Sequence, residues 1–194
     1  NILVTGAKGM VGTALVNNLK NIRDGKNKTR NIKVDEIYEF DLNNTEAELN
    51  EYCSKADFVF NLAGVNRPEN QDDFMKGNFG FASQLLDTLK KYNNKVGIML
   101  SSSVQATLAG RFGTSEYGKS KKAGEELFFE YGKQTGAPVY VYRFVNLMGH
   151  SRPKYNSAIS TFCWAVANDE EFTVNDRSTE LEVLYIDDLV EGMF

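Results

Sequence analysis

Short apolar runs alternate with segments of helical period along almost the whole chain. "NILVT" is an apolar run that ends on a glycine-rich turn, and behind it Met10, Val11, Ala14, Leu15 and Leu19 recur at helical spacing. "DEIYEFDL" reads as the next strand, and "NTEAELNEYCSKA" as a helix with Asn44 or Thr45 as its cap. "DFVFNLAG" is a buried strand, "DDFMKGNFGFASQLLDTLKKY" a long amphipathic helix and "VGIMLSSS" a further strand. Residues 115–135 follow as helix, "PVYVYRFVN" as strand and "NSAISTFCWAVAN" as helix, with short strands expected near 171–174 and 181–186. Strands and helices in strict alternation predict right-handed crossovers and a parallel sheet covered on both faces. The polar, irregular stretch 21–33 interrupts this rhythm and reads as a flexible insertion.

Composition narrows the class of molecule. At 194 residues the chain is long enough for one domain with a sizeable core, and its net charge of −4 lacks the basic footprint of a nucleic-acid binder. Cys53 and Cys163 stand far apart in no metal-type spacing, and His150 is the one histidine, so no metal site is expected and a reducing cytoplasm fits. No apolar run approaches the ~18 residues of a membrane span. The chain starts without Met and stops at "VEGMF" in mid-pattern, which leads us to expect a piece of a longer protein.

The turn "TGAKGMVG" places Gly6, Gly9 and Gly12 between the first strand and the first helix. Glycine permits a tight turn and close approach of a pyrophosphate, and the helix start at Met10 and Val11 offers free N–H groups and a favourable dipole. A nicotinamide dinucleotide is the expected ligand. Asp41, with Leu42 beside it, ends the second strand, where an acidic residue binds a ribose 2′-hydroxyl and repels a 2′-phosphate. It lies beyond the usual spacing of about 20 residues because 21–33 is inserted. Two alternatives stay open: Asp41 is equally suited to a helix-capping turn, and the basic insertion to a 2′-phosphate contact, so NAD and NADP both remain.

Tyr117 alone among the nine tyrosines has a lysine, Lys121, four residues later, and on a helix the two share a face. A neighbouring ammonium favours phenolate, so the pair predicts a tyrosine tuned to exchange a proton with a carbonyl oxygen. Three loops are expected at the carboxyl edge of the sheet, where open α/β sheets bind ligands: "NLAG" with Leu62, Ala63 and Gly64, "SSS" at Ser101–Ser103, and "RFVNLMG". A serine hydroxyl there would donate to a substrate oxygen as charge develops, with Ser103 the first candidate and Ser102 the second.

In this order "TGAKGMVG", "NLAG", Asn78 in "GNFGFASQLL", "SSS", Tyr117/Lys121, "RFVNLMG" and "YIDD" resemble the extended short-chain dehydrogenase/reductase family across residues 1–194. "LAGVNRPE", "LSSSVQAT", "YNSAISTFC" and "VNDRSTELEVLYIDDLV" carry a narrower resemblance, to a bifunctional type of capsular-polysaccharide enzyme. The resemblance implies a Rossmann-type doubly wound parallel sheet, with parts of a small C-terminal substrate lobe from about residue 150 onward. It also implies a cupin domain beyond the present chain. The implied reaction is NADPH-dependent reduction of a UDP-linked 4-keto-6-deoxy-HexNAc. Carried over by position, Gly6, Gly9 and Gly12 wrap the pyrophosphate, and Ala63 and Gly64 line the cofactor path. Tyr117 is then the acid, Lys121 its partner and ribose anchor, and Ser103 the carbonyl donor. Asn146 would contact the sugar nucleotide, and Arg67 with Arg152 or Lys154 the diphosphate.

The chain departs from the pattern at two places. Leu181 stands where many relatives carry an arginine for the diphosphate, with Arg177 as a substitute, and Asp41-Leu42 stands where the narrower type carries a basic residue. The resemblance implies a homodimer. Alternatives to the reductase reading are a UDP-sugar epimerase or dehydratase, and a dinucleotide-binding module without chemistry.

Overall fold

The structure, a computed structural model, describes residues 1–64, 75–155, 157–174 and 176–194. Two compact units divide the chain at Arg143 and Phe144.

The first unit is built on parallel strands β1 (Ile2–Thr5), β2 (Ile37–Phe40), β3 (Phe58–Asn61) and β4 (Gly97–Ser103), with β5 (Val139–Phe144) completing a five-stranded sheet of order β2-β1-β3-β4-β5. The connections are α1 (Met10–Arg23), α2 (Glu46–Lys55), α3 (Phe81–Lys91) and α4 (Glu116–Thr135). Order reverses at β1, with β2 on one side and β3 on the other. Leu3, Val59 and Ile98 are ladder partners across three strands and are wholly buried, in a cluster with Leu49 and Cys53 of α2, Leu85 and Leu89 of α3, and Phe128 and Tyr131 of α4. The alternate row Val4, Phe60 and Met99 is buried as well, so apolar packing covers both faces, as a parallel sheet requires.

Local signals account for the helix starts. Thr45 forms a full capping box with Glu48, Ser115 accepts from the Gly118 amide at the head of α4, and Gly136 ends α4 in the left-handed conformation. The described part of the expected long helix opens with a π-helical turn (Met75–Gly80) before α3 takes over. Two short 3-10 turns, Val104–Thr107 and Gly110–Phe112, link β4 to α4. In the stretch 21–33, α1 runs on to Arg23, and the amides of Lys26 and Asn27 close back onto the Asn21 carbonyl.

The second unit holds a parallel pair, β6 (Asn146–Met148) and β7 (Val183–Tyr185), with α5 (Ala158–Ala167) and α6 (Ile186–Gly192). The strand expected at 171–174 does not form. Those residues carry no ladder, and Phe172 instead packs its ring 5.0 Å from that of Phe162 on α5. Alternation of apolar residues alone does not make a strand where no neighbouring backbone offers hydrogen bonds.

Candidate active site

The glycine turn between β1 and α1 is shaped by close backbone approach. Gly6 has φ +68°, and a Cβ on it would lie 2.7 Å from the Ala63 nitrogen, so the turn rests directly on the segment that leaves β3. A Cβ on Gly12 would overlap the Gly6 carbonyl oxygen and reach 2.8 Å from the Ala7 Cα, which presses the first turn of α1 against the loop. Gly9 caps α1 without a side-chain hydrogen bond, and the first turn holds no acidic residue. The amides of Met10, Val11 and Gly12 therefore open a helix start that favours an anion. A dinucleotide pyrophosphate fits this cradle.

Asp41 combines the two readings left open by the sequence. Its Oδ2 accepts the Lys8 amide of the glycine turn at 2.7 Å and its Oδ1 the Leu42 amide at 2.8 Å, while its own amide donates to Asn44 Oδ1 at 2.8 Å. It is a turn residue, and it also sets a negative charge beside the glycine loop. Leu42 is 98% exposed, an apolar side chain with no cover.

The expected loops gather at the carboxyl edge. Thr5 and Asn61 end β1 and β3 as ladder partners, joined by a 2.6 Å hydrogen bond from Thr5 Oγ1 to Asn61 Oδ1. Leu62 and Ala63 follow, their amides donating to the Thr5 carbonyl and the Thr5 hydroxyl. A Cβ on Gly64 would lie 2.8 Å from Asn78 Oδ1 and 3.0 Å from Lys121 Nζ. β4 runs three residues beyond Leu100, the partner of Asn61, so Ser101–Ser103 stand at the same edge.

Tyr117 and Lys121 meet there. The Lys121 ammonium lies over the Tyr117 ring, 5.6 Å from its centroid, and donates to the Ser101 carbonyl at 3.1 Å. The Ser103 hydroxyl is hydrogen-bonded to the Tyr117 phenol and also accepts the Gln105 amide at 3.2 Å. The expected tuning of the phenol is not what this structure contains. Burial pushes the Tyr117 phenol up to about 12, with the Ser103 hydrogen bond only partly offsetting it, and burial holds the Lys121 ammonium down to about 8. Spacing on the helix brought the pair together, but the ammonium faces the ring and the Ser101 carbonyl, and desolvation, which penalises both charged forms, is the larger effect.

Ser102 is turned to a different task. Its hydroxyl donates to Glu125 Oε1 at 2.5 Å, and Glu125 also receives Arg143 Nε at 2.9 Å and Nη2 at 2.7 Å. Sequence reading gave Glu125 and Arg143 no role, since Glu125 is one of four glutamates on a helix that also carries four lysines, where a charged residue reads as a solvated one. Asn78, quoted only as part of a motif, donates through Nδ2 to Ser120 Oγ at 3.1 Å, which bonds in turn to the Tyr117 carbonyl.

Arg67 lies outside the described residues. The other substrate candidates belong to the second unit. There the Asn146 amide group donates to the Glu182 carbonyl at 3.0 Å, and Arg152 lies 5.4 Å from the Tyr155 ring centroid. Lys154 pairs with Glu170 at 2.6 Å over the Trp164 ring, and Arg177 is exposed in a turn. Leu181 is exposed, at the position where the resemblance led to an arginine.

Among the described residues no group of three or more His, Cys, Asp or Glu side chains could hold a metal ion, and no helix is long and apolar enough to cross a membrane. The model of the NAD dependent epimerase/dehydratase family matches residues 2–194. A UDP-2-acetamido-2,6-beta-L-arabino-hexul-4-ose reductase of Pseudomonas aeruginosa is 37% identical over 190 residues, covering 97% of this chain and 47% of that protein. The crystal structure of the capsular polysaccharide assembling protein CapF from Staphylococcus aureus matches with TM-score 0.80 and 42% identity over 100% of this chain and 48% of that one. A UDP-glucuronic acid 4-epimerase from Bacillus cereus, solved with UDP-glucuronic acid and NAD, shares the fold at TM-score 0.77 and 22% identity, over 99% of this chain and 71% of that one. The chain spans about half the length of the reductase and of CapF.

Proposed function

The chain belongs to the NAD dependent epimerase/dehydratase family, and on that premise we propose that it carries out NAD(P)H-dependent reduction of a UDP-linked 4-keto-6-deoxy-HexNAc in the making of a capsular or surface polysaccharide precursor. One observation carries the reading. A protonated phenol, a lysine ammonium and a serine hydroxyl converge at the carboxyl edge of β4, beside the strand end that faces the glycine cradle. The likeness to a UDP-sugar ketoreductase supplies the substrate class.

In the reaction the keto carbon takes a hydride and the keto oxygen a proton, which leaves an alcohol and the oxidised cofactor. When bound, the reduced nicotinamide dinucleotide supplies the hydride. The residues of this chain do the rest. The amides at the start of α1 and the glycine turn hold the pyrophosphate. Ser103 donates to the keto oxygen as negative charge develops on it. Tyr117, kept protonated by burial, delivers the proton. The Lys121 ammonium stands beside the phenolate that this leaves.

The test is absorbance of the reduced nicotinamide after mixing the protein with a UDP-4-keto-6-deoxy-HexNAc. NADPH and NADH are run side by side, because Asp41 disfavours a 2′-phosphate while the basic stretch before β2 favours one. Tyr117→Phe is expected to lower kcat by about 10²–10⁴. A loss below about tenfold rejects Tyr117 as the acid. Conversion of the sugar with no net loss of reduced cofactor would indicate an epimerase or dehydratase instead.

A further inference from the structure

The carboxylate of Glu125 makes a contact that the reaction described above does not use. Tyr117, Lys121 and Glu125 follow one another at four-residue steps on α4, and each engages one of three consecutive residues at the end of β4. Tyr117 meets the Ser103 hydroxyl, Lys121 the Ser101 carbonyl at 3.1 Å, and Glu125 the Ser102 hydroxyl at 2.5 Å. Glu125 is 3% exposed, and its second oxygen is held by Arg143 on β5 at 2.7 Å. Burial alone would raise the Glu125 pKa, but the hydrogen bonds from Arg143 and Ser102 outweigh it and the pKa is lowered, so the group is an ionised carboxylate at neutral pH. Charge-assisted bonds of this kind are short and directional.

Resting on the reductase reading, we propose that Glu125, anchored by Arg143, is a positioning residue: by gripping Ser102 it aims the Ser101 carbonyl at Lys121 and the Ser103 hydroxyl at Tyr117. Successive residues of a strand point to opposite faces, so the side chain that is held fixes the orientation of both its neighbours. Ser102 is then not a donor to substrate, because its one hydroxyl proton is committed to Glu125. A carboxylate that merely tied α4 to β5 would need Arg143 alone. The third contact, to the middle serine, gives the network its bearing on the site.

Ser102→Ala removes the grip with little change in volume, Ser102→Thr restores a hydroxyl, and Glu125→Gln keeps the shape of the acceptor while removing its charge. In the reductase assay, Ser102→Ala and Glu125→Gln are expected to lower kcat by about tenfold or more with KM for both substrates within about twofold, and Ser102→Thr to recover most of the loss. In a crystal structure of Ser102→Ala, the distance from Lys121 Nζ to the Ser101 oxygen is expected to open from 3.1 Å to beyond about 3.5 Å. Unchanged kcat in Ser102→Ala overturns the proposal, and so does a lowered kcat with that distance intact, which would make Ser102 a direct donor. If the unaltered protein reduces no keto-sugar, the reductase reading fails by itself, and the distance in the variant still decides whether Glu125 positions the strand end.

Discussion

Replacing Lys121 by methionine should change how folding stability depends on pH, and the size of the effect follows from burial. Lys121 is 7% exposed, and its ammonium lies over the Tyr117 ring and donates to the neutral Ser101 carbonyl. Burial moves its pKa from the ordinary 10.5 down to about 8. Between those values the unfolded chain binds a proton that the folded chain has released, so stability rises with pH across that window. Below it both states are protonated and the folded state bears the full penalty; above it neither is, and the penalty is gone. The separation is worth about 3 kcal/mol at 1.36 kcal/mol per pH unit. Tyr117 and Cys53, each pushed up to about 12 by burial, act in the opposite sense at alkaline pH, because their folded forms keep protons that the unfolded chain loses. The quantity to follow is therefore the difference between Lys121→Met and the unaltered protein, measured by urea denaturation from about pH 7 to about pH 10.5. The variant should be the more stable near neutrality, apart from a constant offset for the lost hydrogen bond. Its advantage should shrink by about 3 kcal/mol over the range. A difference that changes by less than about 1 kcal/mol would show that the ammonium is solvated in the folded state, and would refute the burial on which the pairing with Tyr117 rests.

Two further outcomes test the frame around the site. Gly12→Ala forces a Cβ into the Gly6 carbonyl oxygen, and should cost about 1–3 kcal/mol by urea denaturation. The same variant should weaken dinucleotide binding in a fluorescence titration, because the displaced loop is the pyrophosphate cradle. Thr45→Ala removes the side chain that accepts from the Glu48 amide at 3.3 Å at the start of α2, and should lower stability by about 1 kcal/mol with kcat/KM unchanged.

Elements with a local chemical cause were legible in the sequence. The glycine turn, the helix cap offered at Asn44 or Thr45, and the apolar run of β4 depend on residues within a few positions of one another. The helical spacing of Tyr117 and Lys121 was legible for the same reason. What distant backbone decides was not. The stretch 171–174 has a strand-like composition but pairs with no strand among the described residues. Nothing near Glu125 in the chain announces that it is buried, because its partners Ser102 and Arg143 arrive from β4 and β5. The sign of the Tyr117 shift failed for the same reason: spacing reports how near a charge lies, and only the packed structure reports how much water has been removed around both groups.

That correction alters what the site is suited to do. With a phenol near about 12, loss of its proton at neutral pH costs about 7 kcal/mol, so the resting group is a proton donor and a poor base. On the reductase reading this matches the direction of the reaction, since a keto oxygen gaining charge needs a proton ready to give. The reverse reaction, taking a proton from an alcohol, would have to meet the cost of the buried phenolate first. The same burial that disfavours the phenolate leaves Lys121, at about 8, as a cation whose proton is easily released at the side of Tyr117. The two opposed shifts therefore invert and widen the gap in acidity between the groups, from 10.0 for the phenol and 10.5 for the ammonium to about 12 and about 8, so that once the phenol has given up its own proton the Lys121 ammonium is the stronger acid and passing a proton from it to the phenolate is downhill.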